Sequence, residues 1–337
     1  MKINKVSLKD YSSLRIGGYA DMVNITNEDE LVEAVEYAKE KSLQTYVLGN
    51  GTNTFFAEDL ENILILKIEI IGKSRQDSEN NNDVFVTAQA GEVWDDIVKF
   101  CVENNLWGIE NLSYIPGSVG ATPIQNIGAY GVELKDIFVS LRALDTEKME
   151  FVNLNKEECL LDYRDSLFKK ETGRYIIVSV TLRLSKENKP VLTYKPLNTL
   201  IDKKELSISD IRELVIQTRA QKLPDYKIHP NAGSFFKNVI INSLQAEILQ
   251  NKFVDIPLIK VENNNYKISS AWLIENVANM KGARIGSIGT WPTQPLVIVN
   301  YDDGSSKDLI SFEEEIKKRI LKETGLVLER EVNFVNK

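Results

Sequence analysis

The sequence predicts an α+β protein built from three lobes. Helix and strand signals alternate in the first 70 residues, strand signals dominate the middle, and helices and strands mix beyond about Ser209. The chain has 337 residues, too many for one simple core, so two or three domains are expected. No internal repeat is visible, so the lobes are not copies of one unit.

Composition and charge exclude several classes of protein. Hydrophobic residues make up 43% of the chain and charged residues 27%, which is typical of a folded globular protein rather than a disordered one. Lys and Arg number 41 against 49 Asp and Glu, a formal net charge of −8. This balance, with no basic block, argues against nucleic acid or membrane as a partner. Met1–Ser13 has no signal-peptide core and the apolar runs are strand-sized, so we expect a cytoplasmic protein. A monomer is a separate expectation, which these features do not establish.

Cysteine and histidine are scarce. Cys101 and Cys159 are the two cysteines and His229 is the single histidine. A disulfide scaffold, a structural zinc site and a two-histidine metal site are therefore excluded, and we expect no metal. Acid–base chemistry would fall to Glu, Asp, Lys, Tyr or an activated hydroxyl group.

The first elements predict a small βαβ-like unit. Thr26 and Asp29 fit a helix capping box. The apolar residues of the predicted helix fall on one face: Leu31, Ala34, Val35 and Ala38. Strands are predicted at Gln44–Leu48 and Ile63–Lys67, with the loop Gly49–Asn53 after the first of them.

A polar stretch and a β-rich middle follow. Gly72–Asp83 fits a domain hinge or an exposed hairpin loop, and we favour the loop. One helix has Trp94, Ile97, Val98 and Cys101 on one face. The segment Asn111–Leu134 lacks clear periodicity, and long irregular segments in compact domains are usually functional. Strands are predicted at Val84–Ala90, Phe138–Leu144, Glu150–Leu154 and Tyr175–Leu184.

The last third mixes helices and strands. A helix from Ser209 to Lys222 ends before Pro224, and Ser311 with Glu314 fits a second capping box. Gly325 is a suitable helix terminator. The remaining predicted elements are helices at Asn242–Leu249, Ser269–Met280 and Ser311–Thr324, and strands at Pro295–Asn300 and Val327–Val335.

Two loops rich in small residues are candidate anion sites. Gly49–Asn53 follows a strand, and glycines there let main-chain N–H groups converge on an anion, although a simple turn explains the loop equally well. The segment from Ile115 to Pro123 is a stronger signal and continues into Gln125–Gly131; a tight connection is the alternative. Neither is a Walker P-loop, so together they favour a pyrophosphate-bearing cofactor over ATP hydrolysis.

Three polar motifs are candidates for chemistry. Tyr163–Ser166 presents Arg164, which suits a carboxylate or forms a surface ion pair. Asn231–Asn238 places Ser234 before two aromatic residues; His229 is close in sequence, but a catalytic triad is disfavoured and a structural histidine is favoured. Leu328–Val332 is predicted in a terminal strand, with Glu329 and Glu331 on one face. One of these glutamates could enter a functional site, or the strand could be a solvated edge strand.

Taken together, these motifs resemble the UDP-N-acetylenolpyruvoylglucosamine reductase family, in its longer, type I branch. The matching segments run in family order over nearly the whole chain: Ser13–Gly18, Leu48–Asn53, Ile115–Leu134, Tyr163–Ser166, Val191–Tyr194, Lys222–Asp225, Asn231–Asn238, Ala271–Ile274 and Leu328–Val332. The resemblance implies a two-lobe FAD-binding unit of the p-cresol methylhydroxylase type and a C-terminal α+β substrate-binding domain. The implied boundaries are 1–70 with the terminal strand 331–337, then 71–222, then 223–330.

The resemblance also implies the reaction and its residues. NADPH would reduce noncovalent FAD, and the enolpyruvyl sugar nucleotide would then be reduced to UDP-N-acetylmuramate, a peptidoglycan precursor. Arg164 and Glu331 align with the pair that stabilises the enolate, and Ser234 with the proton donor to C2. The implied flavin-binding residues are Gly49, Asn50, Gly51, Thr52, Asn53, Ile115, Pro116, Gly117, Gly120, Ala121, Thr122, Gln125 and Gly128. The implied substrate-binding residues are Tyr130, Tyr194, Lys222, Asn238 and Gln294.

The sequence departs from the family pattern near its end. The family commonly reads Leu-Glu-Pro-Glu-Val-Arg there, whereas Arg330 and Asn333 replace the proline and the last arginine. Two other functions are kept as alternatives: a flavin oxidase of the same fold acting on an alcohol or sugar, and a binding protein with a degenerate site.

Overall fold

The computed structural model describes residues 1–79 and 82–336. In chain order its strands are β1 (Asn4–Ser7), β2 (Tyr19–Ile25), β3 (Gln44–Leu48), β4 (Thr54–Phe56), β5 (Leu60–Ile68), β6 (Lys73–Asp77), β7 (Asp83–Gln89), β8 (Gly128–Ala129), β9 (Val132–Glu133), β10 (Phe138–Asp145), β11 (Glu150–Asn155), β12 (Tyr175–Ser185), β13 (Asn231–Ser234), β14 (Val239–Ile241), β15 (Leu258–Lys260), β16 (Tyr266–Ile268), β17 (Arg284–Ile285), β18 (Ile288–Trp291), β19 (Gln294–Asn300) and β20 (Asn333–Val335). Its α-helices are α1 (Glu28–Glu40), α2 (Trp94–Glu103), α3 (Leu134–Ile137), α4 (Leu167–Lys170), α5 (Ile208–Lys222), α6 (Ser243–Lys252), α7 (Ser270–Trp272, continuing as a π-helical turn over Leu273–Val277) and α8 (Ser306–Thr324). The predicted α+β class is confirmed, and among the described residues no helix is long and apolar enough to cross a membrane.

The chain divides into two compact units. The first comprises Met1–Val6, Ala20–Asn50 and Glu61–Gln221. The second comprises Ser7–Tyr19, Gly51–Leu60 and the chain from Lys222 onward. The three-lobe boundaries expected from the family resemblance stay a prediction.

The first unit contains a four-stranded and a five-stranded sheet. The smaller has the order β1-β2-β5-β3, and β3 runs parallel to β5 with Gln44 opposite Ile63. The larger has the order β11-β10-β12-β7-β6, with every neighbouring pair antiparallel. Six strands are predicted between Gln44 and Leu184. Each lies within an observed strand or extends one residue beyond it.

Neighbouring residues of β12 serve two hydrophobic cores in this unit. Ile177 belongs to a buried cluster that also contains Trp94 and Ile97 of α2 and Ile211 and Val215 of α5. Ile176 and Val178 belong to a second cluster, with Leu31, Ala34, Val35 and Ala38 of α1. The alternation expected of a strand therefore buries both faces of the larger sheet.

The second unit is built around one buried cluster. Its sheets have the orders β13-β19-β18-β17, β14-β16-β15 and β20-β4. The cluster joins early and late segments of the chain: Leu14, Ile16 and Phe55 pack with Phe235, Phe236, Leu309, Phe312, Ile316 and Ile320. The terminal strand β20 pairs in parallel with β4, with Phe334 opposite Phe55.

Both predicted capping boxes are misplaced. The N-cap of α1 is Asn27, whose side chain accepts from the N–H of Glu30, rather than Thr26. The helix α8 starts five residues earlier than predicted, with a capping box formed by Ser305 and Asp308. In each case the sequence offers a second small polar residue that can cap the helix, so composition alone does not fix the first residue. The predicted terminator Gly325 is confirmed, with φ of 72°.

Two further predictions are corrected. The polar stretch after Gly72 contains β6, whose five residues are all exposed at the edge of the sheet. An edge strand facing solvent needs no apolar alternation, so the pattern resembled a loop; Asn80 and Asn81 lie outside the described residues. The predicted strand Val327–Val335 is regular only over Asn333–Val335.

Candidate functional site

The two glycine-rich loops meet at Gly49 in the first unit. A Cβ atom added at Gly49 would lie 2.2 Å from Ser118 Oγ and 3.9 Å from Ala121 Cβ. A Cβ atom added at Gly120 would lie 2.6 Å from Ala90 Cβ. Main chain and small residues thus approach each other at distances that glycine permits and other residues do not.

Main-chain hydrogen bonds hold the second loop against the turn between β7 and α2. Val119 N–H donates to Glu92 at 2.9 Å and Gly120 N–H donates to Ala90 at 3.0 Å. The buried Thr122 hydroxyl donates to the carbonyl of Val119 at 2.7 Å. That hydroxyl therefore stabilises the loop itself, and the loop is a firm surface for a ligand.

The first loop continues into the second unit at Gly51. Its φ is +63°, and a Cβ atom there would lie 1.8 Å from the carbonyl oxygen of Tyr11. The Gly51 carbonyl accepts from Ser13 N–H at 3.0 Å. Both glycines of this loop therefore have a steric reason to be glycine, which a simple exposed turn would not require.

These residues fit FAD bound without a covalent link. The main chain at Gly49 lies directly against Ser118, so the two loops present main chain and small side chains close together, and close approach of main chain to a pyrophosphate requires such small residues. Burial raises the pKa of both Cys101 and Cys159 to about 12. Both thiols are therefore buried and protonated near neutral pH, which makes them poor nucleophiles toward a flavin.

The segment after these loops forms a tight hairpin that presents Tyr130. Its strands are β8 and β9, and Tyr130 and Gly131 between them have φ of 50° and 85°. Positive φ at both positions is the signature of a two-residue type I′ turn. The buried Asn126 fixes the start of the hairpin, because its Nδ2 donates to Glu133 at 2.9 Å and to the Asp162 carbonyl at 3.1 Å.

Arg164 lies in the turn closed by Asp162 and Asp165, with φ of 53°. Its guanidinium group donates to the carbonyl of Asn126 at 3.5 Å and to the carbonyl of Gly128 at 3.3 Å. The predicted catalytic cation is therefore held against the hairpin by main-chain carbonyl groups. Both partners belong to the long irregular segment that the sequence marked as functional.

Tyr130 and Tyr194 lie edge to face, with ring centroids 5.7 Å apart. Between their segments lies Asn111, a fully buried residue whose Nδ2 donates to the carbonyls of Tyr130 and Val191, each at 2.9 Å. Burial raises the pKa of the Tyr130 phenol, although the nearby Arg219 opposes the shift. Sequence reasoning did not select Asn111; the available signal was its position at the start of the irregular segment.

Ser234 ends β13 in the second unit and its side chain is exposed. The buried Asn231 shapes this strand: its Nδ2 donates to the carbonyl of His229 at 2.8 Å and its Oδ1 accepts from Gly233 N–H at 2.9 Å. Phe235 N–H then donates to the Leu296 carbonyl at 2.9 Å. The exposed Ser234 is thus followed in the chain by the buried Phe235 and Phe236, in agreement with the exposed hydroxyl predicted for the Asn231–Asn238 motif.

The segment that contains Glu331 lies next to the segment Asn231–Asn238. The Glu331 N–H donates to the Phe235 carbonyl at 2.8 Å, and Lys237 N–H donates to the Glu329 carbonyl at 2.9 Å. On the other side the Glu331 carbonyl accepts from Asn53 Nδ2 at 3.3 Å. Main-chain bonds in the second unit thus place the segment that carries Glu331 beside the segment that carries Ser234, although Leu328–Val332 is not a regular strand.

The remaining predicted substrate residues of the second unit lie on two segments. Lys222 is exposed, and its carbonyl accepts from the Thr293 hydroxyl at 2.9 Å, next to Gln294 at the start of β19. Asn238 Oδ1 accepts from Ser270 N–H at 3.1 Å. The His229 ring lies 4.9 Å from the Trp291 ring, in keeping with its structural interpretation.

The candidate residues are therefore distributed over both units. The first unit holds Gly49, the Ile115–Thr122 loop, Arg164 and the tyrosine pair; the second holds Ser234, Glu331 and the lysine and amides just described. Of the three predicted catalytic residues, Ser234 and Glu331 share a unit.

Known protein families and relatives match this chain over most of its length. Residues 20–154 match the family described as FAD binding domain, and residues 223–335 match that described as UDP-N-acetylenolpyruvoylglucosamine reductase, C-terminal domain. The UDP-N-acetylenolpyruvoylglucosamine reductase of Flavobacterium johnsoniae is 36% identical, with 98% of each chain covered. That of Pseudomonas aeruginosa is 37% identical, with 97% of each chain covered.

A solved structure shows the same fold. The crystal structure of UDP-N-acetylenolpyruvylglucosamine reductase from Thermus caldophilus superposes with a TM-score of 0.68 and 23% sequence identity, covering 100% of both chains. The family resemblance inferred from the motifs is confirmed by the nearly complete coverage of relatives more than 30% identical. The chain belongs to the UDP-N-acetylenolpyruvoylglucosamine reductase family.

Proposed function

We propose that this chain reduces UDP-N-acetylenolpyruvoylglucosamine to UDP-N-acetylmuramate with NADPH, in the synthesis of peptidoglycan precursors. The support is the family membership over nearly the whole chain together with the FAD-binding domain at residues 20–154. The chemistry that bound FAD would supply is hydride transfer, from NADPH to C3 of the enolpyruvyl double bond. Gly49–Asn53 and Ile115–Thr122, with Gln125 and Gly128, would hold the FAD.

The remaining steps belong to side chains of the protein. Hydride addition at C3 leaves a pair of electrons at C2, which spreads into the neighbouring carboxylate as an enolate. Arg164 stabilises that charge, because a preformed cation binds the developing enolate more tightly than the neutral double bond. Ser234 then gives a proton to C2, which completes the reduction.

Glu331 is assigned, with Arg164, to stabilising the enolate charge. This role restricts the protonation state of its carboxyl group. A bare carboxylate would repel the enolate, so Glu331 must act as the neutral acid or through a water molecule. The substrate itself would be bound by Tyr130, Tyr194, Lys222, Asn238 and Gln294.

One observation carries the catalytic assignment. The hydrogen bond of 2.8 Å from Glu331 N–H to the Phe235 carbonyl joins two segments that are about 95 residues apart, and Ser234 precedes Phe235. This bond ties the segment of the proposed proton donor to the segment of its proposed acidic partner, which supports the assignment of both residues to one reaction. We also propose that the protein acts as a monomer in the cytoplasm.

An anaerobic titration tests the function. The purified protein should be yellow, and stoichiometric NADPH should bleach its flavin absorbance. Addition of UDP-N-acetylenolpyruvoylglucosamine without oxygen should restore the colour and yield UDP-N-acetylmuramate. Rapid recolouring by oxygen with release of peroxide, and none with the sugar nucleotide, would instead identify an oxidase.

A further inference from the structure

Arg330, the residue before Glu331, makes a buried ion pair. Its Nε donates to Glu313 Oε2 at 2.9 Å, and Nη2 donates to the same oxygen. Glu313 lies on α8 with no exposed surface. The Nζ atom of Lys317 lies 2.7 Å from the other Glu313 oxygen, so both oxygens of this buried carboxylate face a cation.

Aromatic rings from three segments surround the same guanidinium group. Its central carbon lies 5.3 Å from the ring centroid of Phe55, 5.4 Å from that of Phe334 and 6.0 Å from that of Phe235. Phe55 belongs to β4 and Phe334 to β20, and Phe235 is the residue whose carbonyl accepts from Glu331. A planar arginine suits both contacts, whereas a lysine would make neither as well.

The main chain of Glu331 is fixed on both sides, as its N–H and carbonyl bind Phe235 and Asn53. The ion pair of Arg330, the preceding residue, with Glu313 adds a third restraint, because it ties this segment to the helix α8. A restraint of this kind limits where the Glu331 carboxyl group can be, and misplacement of a catalytic group by about 1 Å can cost a hundredfold in rate.

We propose that Arg330 is a positioning residue, which holds Glu331 in its catalytic place through the buried pair with Glu313. The proposal rests on the catalytic role of Glu331 given under Proposed function. Arg330 itself touches neither substrate nor cofactor in this account. Its effect on the reaction passes through Glu331 and is therefore absent when Glu331 has lost its function.

The test uses the flavin-loaded protein and two half-reactions. Arg330→Met should slow reoxidation by UDP-N-acetylenolpyruvoylglucosamine roughly 10- to 100-fold at saturating substrate. The half-saturating substrate concentration and the rate of reduction by NADPH should change by less than about twofold. Glu329→Gln is the matched control, since it removes the exposed ion pair with Lys237 on the same segment and should leave both rates unchanged.

A double-mutant cycle separates positioning from general damage. In a Glu331→Gln background, adding Arg330→Met should slow reoxidation no further than about twofold, because both variants affect one function. Equal slowing in both backgrounds would overturn the proposal. If Arg330→Met folds poorly, Arg330→Met with Glu313→Leu replaces the buried pair by apolar groups and should recover thermal stability.

The double variant Arg330→Met with Glu313→Leu is itself a test of the positioning proposal. A slow reoxidation in the stable Arg330→Met and Glu313→Leu protein supports positioning, and a wild-type rate overturns it. A wild-type rate in Glu331→Gln alone would overturn both the catalytic assignment and this proposal. A slow Glu331→Gln protein together with a fast Arg330→Met protein would overturn this proposal alone.

Discussion

Glu331 donates its main-chain N–H to the carbonyl oxygen of Phe235 at 2.8 Å. The two residues come from opposite ends of the second unit's C-terminal segment, and the bond fixes the Glu331 backbone one residue from Ser234. Because the bond uses main-chain atoms, substitution of either side chain leaves it available. Changes at position 331 or 234 therefore report on chemistry more directly than on the register of the two segments.

The Gly49 contact predicts a steric effect on flavin binding. In Gly49→Ala the new Cβ atom would lie 2.2 Å from Ser118 Oγ, and Ser118 is buried, so the Ser118 hydroxyl must rotate away or the two loops must move apart. We expect weaker FAD binding and a stability loss of about 1–3 kcal/mol. The measurement is bound flavin per chain by absorbance, followed by titration of the apoprotein with FAD.

A second substitution checks the cause of that effect. Ser118→Ala removes the nearest atom and leaves the Ser118 Cβ position, 3.3 Å away, as the closest contact. The double variant should therefore bind more flavin than Gly49→Ala alone. Full flavin occupancy in Gly49→Ala would show that the loops do not form the cradle.

Asn111 is predicted to place the two tyrosines. Asn111→Ala leaves the Tyr130 and Val191 carbonyls without their shared donor, which should cost about 1–3 kcal/mol of folding free energy. We expect a higher half-saturating concentration of the sugar nucleotide, with reduction by NADPH unchanged. Asn188→Ala is the control, because the Asn188 amide donates to Leu206 at 3.2 Å on the exposed surface; equal behaviour of the two variants would contradict the prediction.

Asp95 makes stability in the first unit depend on pH. Burial opposes its ionisation, but hydrogen bonds from Arg212 and Tyr114 N–H prevail and lower the pKa of its carboxyl group. Their distances are 2.7 and 2.8 Å for Arg212 and 2.6 Å for Tyr114. A pKa that is lower in the folded state stabilises the fold above the unfolded value of about 3.9, and the contribution is lost as pH falls through the folded value.

The test for Asp95 is the free energy of unfolding as a function of pH. Asp95→Asn should be less stable than the wild type by roughly 1.5–3 kcal/mol at pH 7. The gap should begin to narrow once the pH falls below about 4, where the Asp95 carboxyl group of the unfolded chain becomes protonated while that of the folded protein is still ionised. A gap of constant size down to acid pH would mean that charge plays no part in the contact.

Periodicity predicted most of the regular fold, and its failures have local causes. The α1 and α2 faces follow from apolar residues at helical spacing, and all eight of those predicted residues are buried. The start of α8 was missed because Ser305 and Ser311 both precede apolar residues. The observed start at Ser306 adds the buried Leu309 to the helix. The exposed edge strand β6 carries no apolar pattern, so nothing in its sequence distinguishes it from a loop.

Candidate site residues could be predicted from the sequence where they belong to a short motif. They could not be predicted where their role depends on contacts between distant segments. Small residues in a row identified the loops at Gly49 and Ile115, and polar residues among aromatics identified Ser234. The contacts of Asn111 and Arg330 join segments far apart in the sequence, Asn111 with Val191 and Arg330 with Glu313. Spacing along one chain cannot show such pairs, since they arise only once the fold has brought the segments together.

Ser234→Ala in an anaerobic stopped-flow experiment tests the central claim most directly. Reduction by NADPH should proceed at the wild-type rate, since no proton from Ser234 is needed there. Reoxidation by UDP-N-acetylenolpyruvoylglucosamine should slow by about 10²–10⁴-fold, the usual contribution of a positioned acid. Reoxidation at the wild-type rate would contradict the assignment of Ser234 as the proton donor.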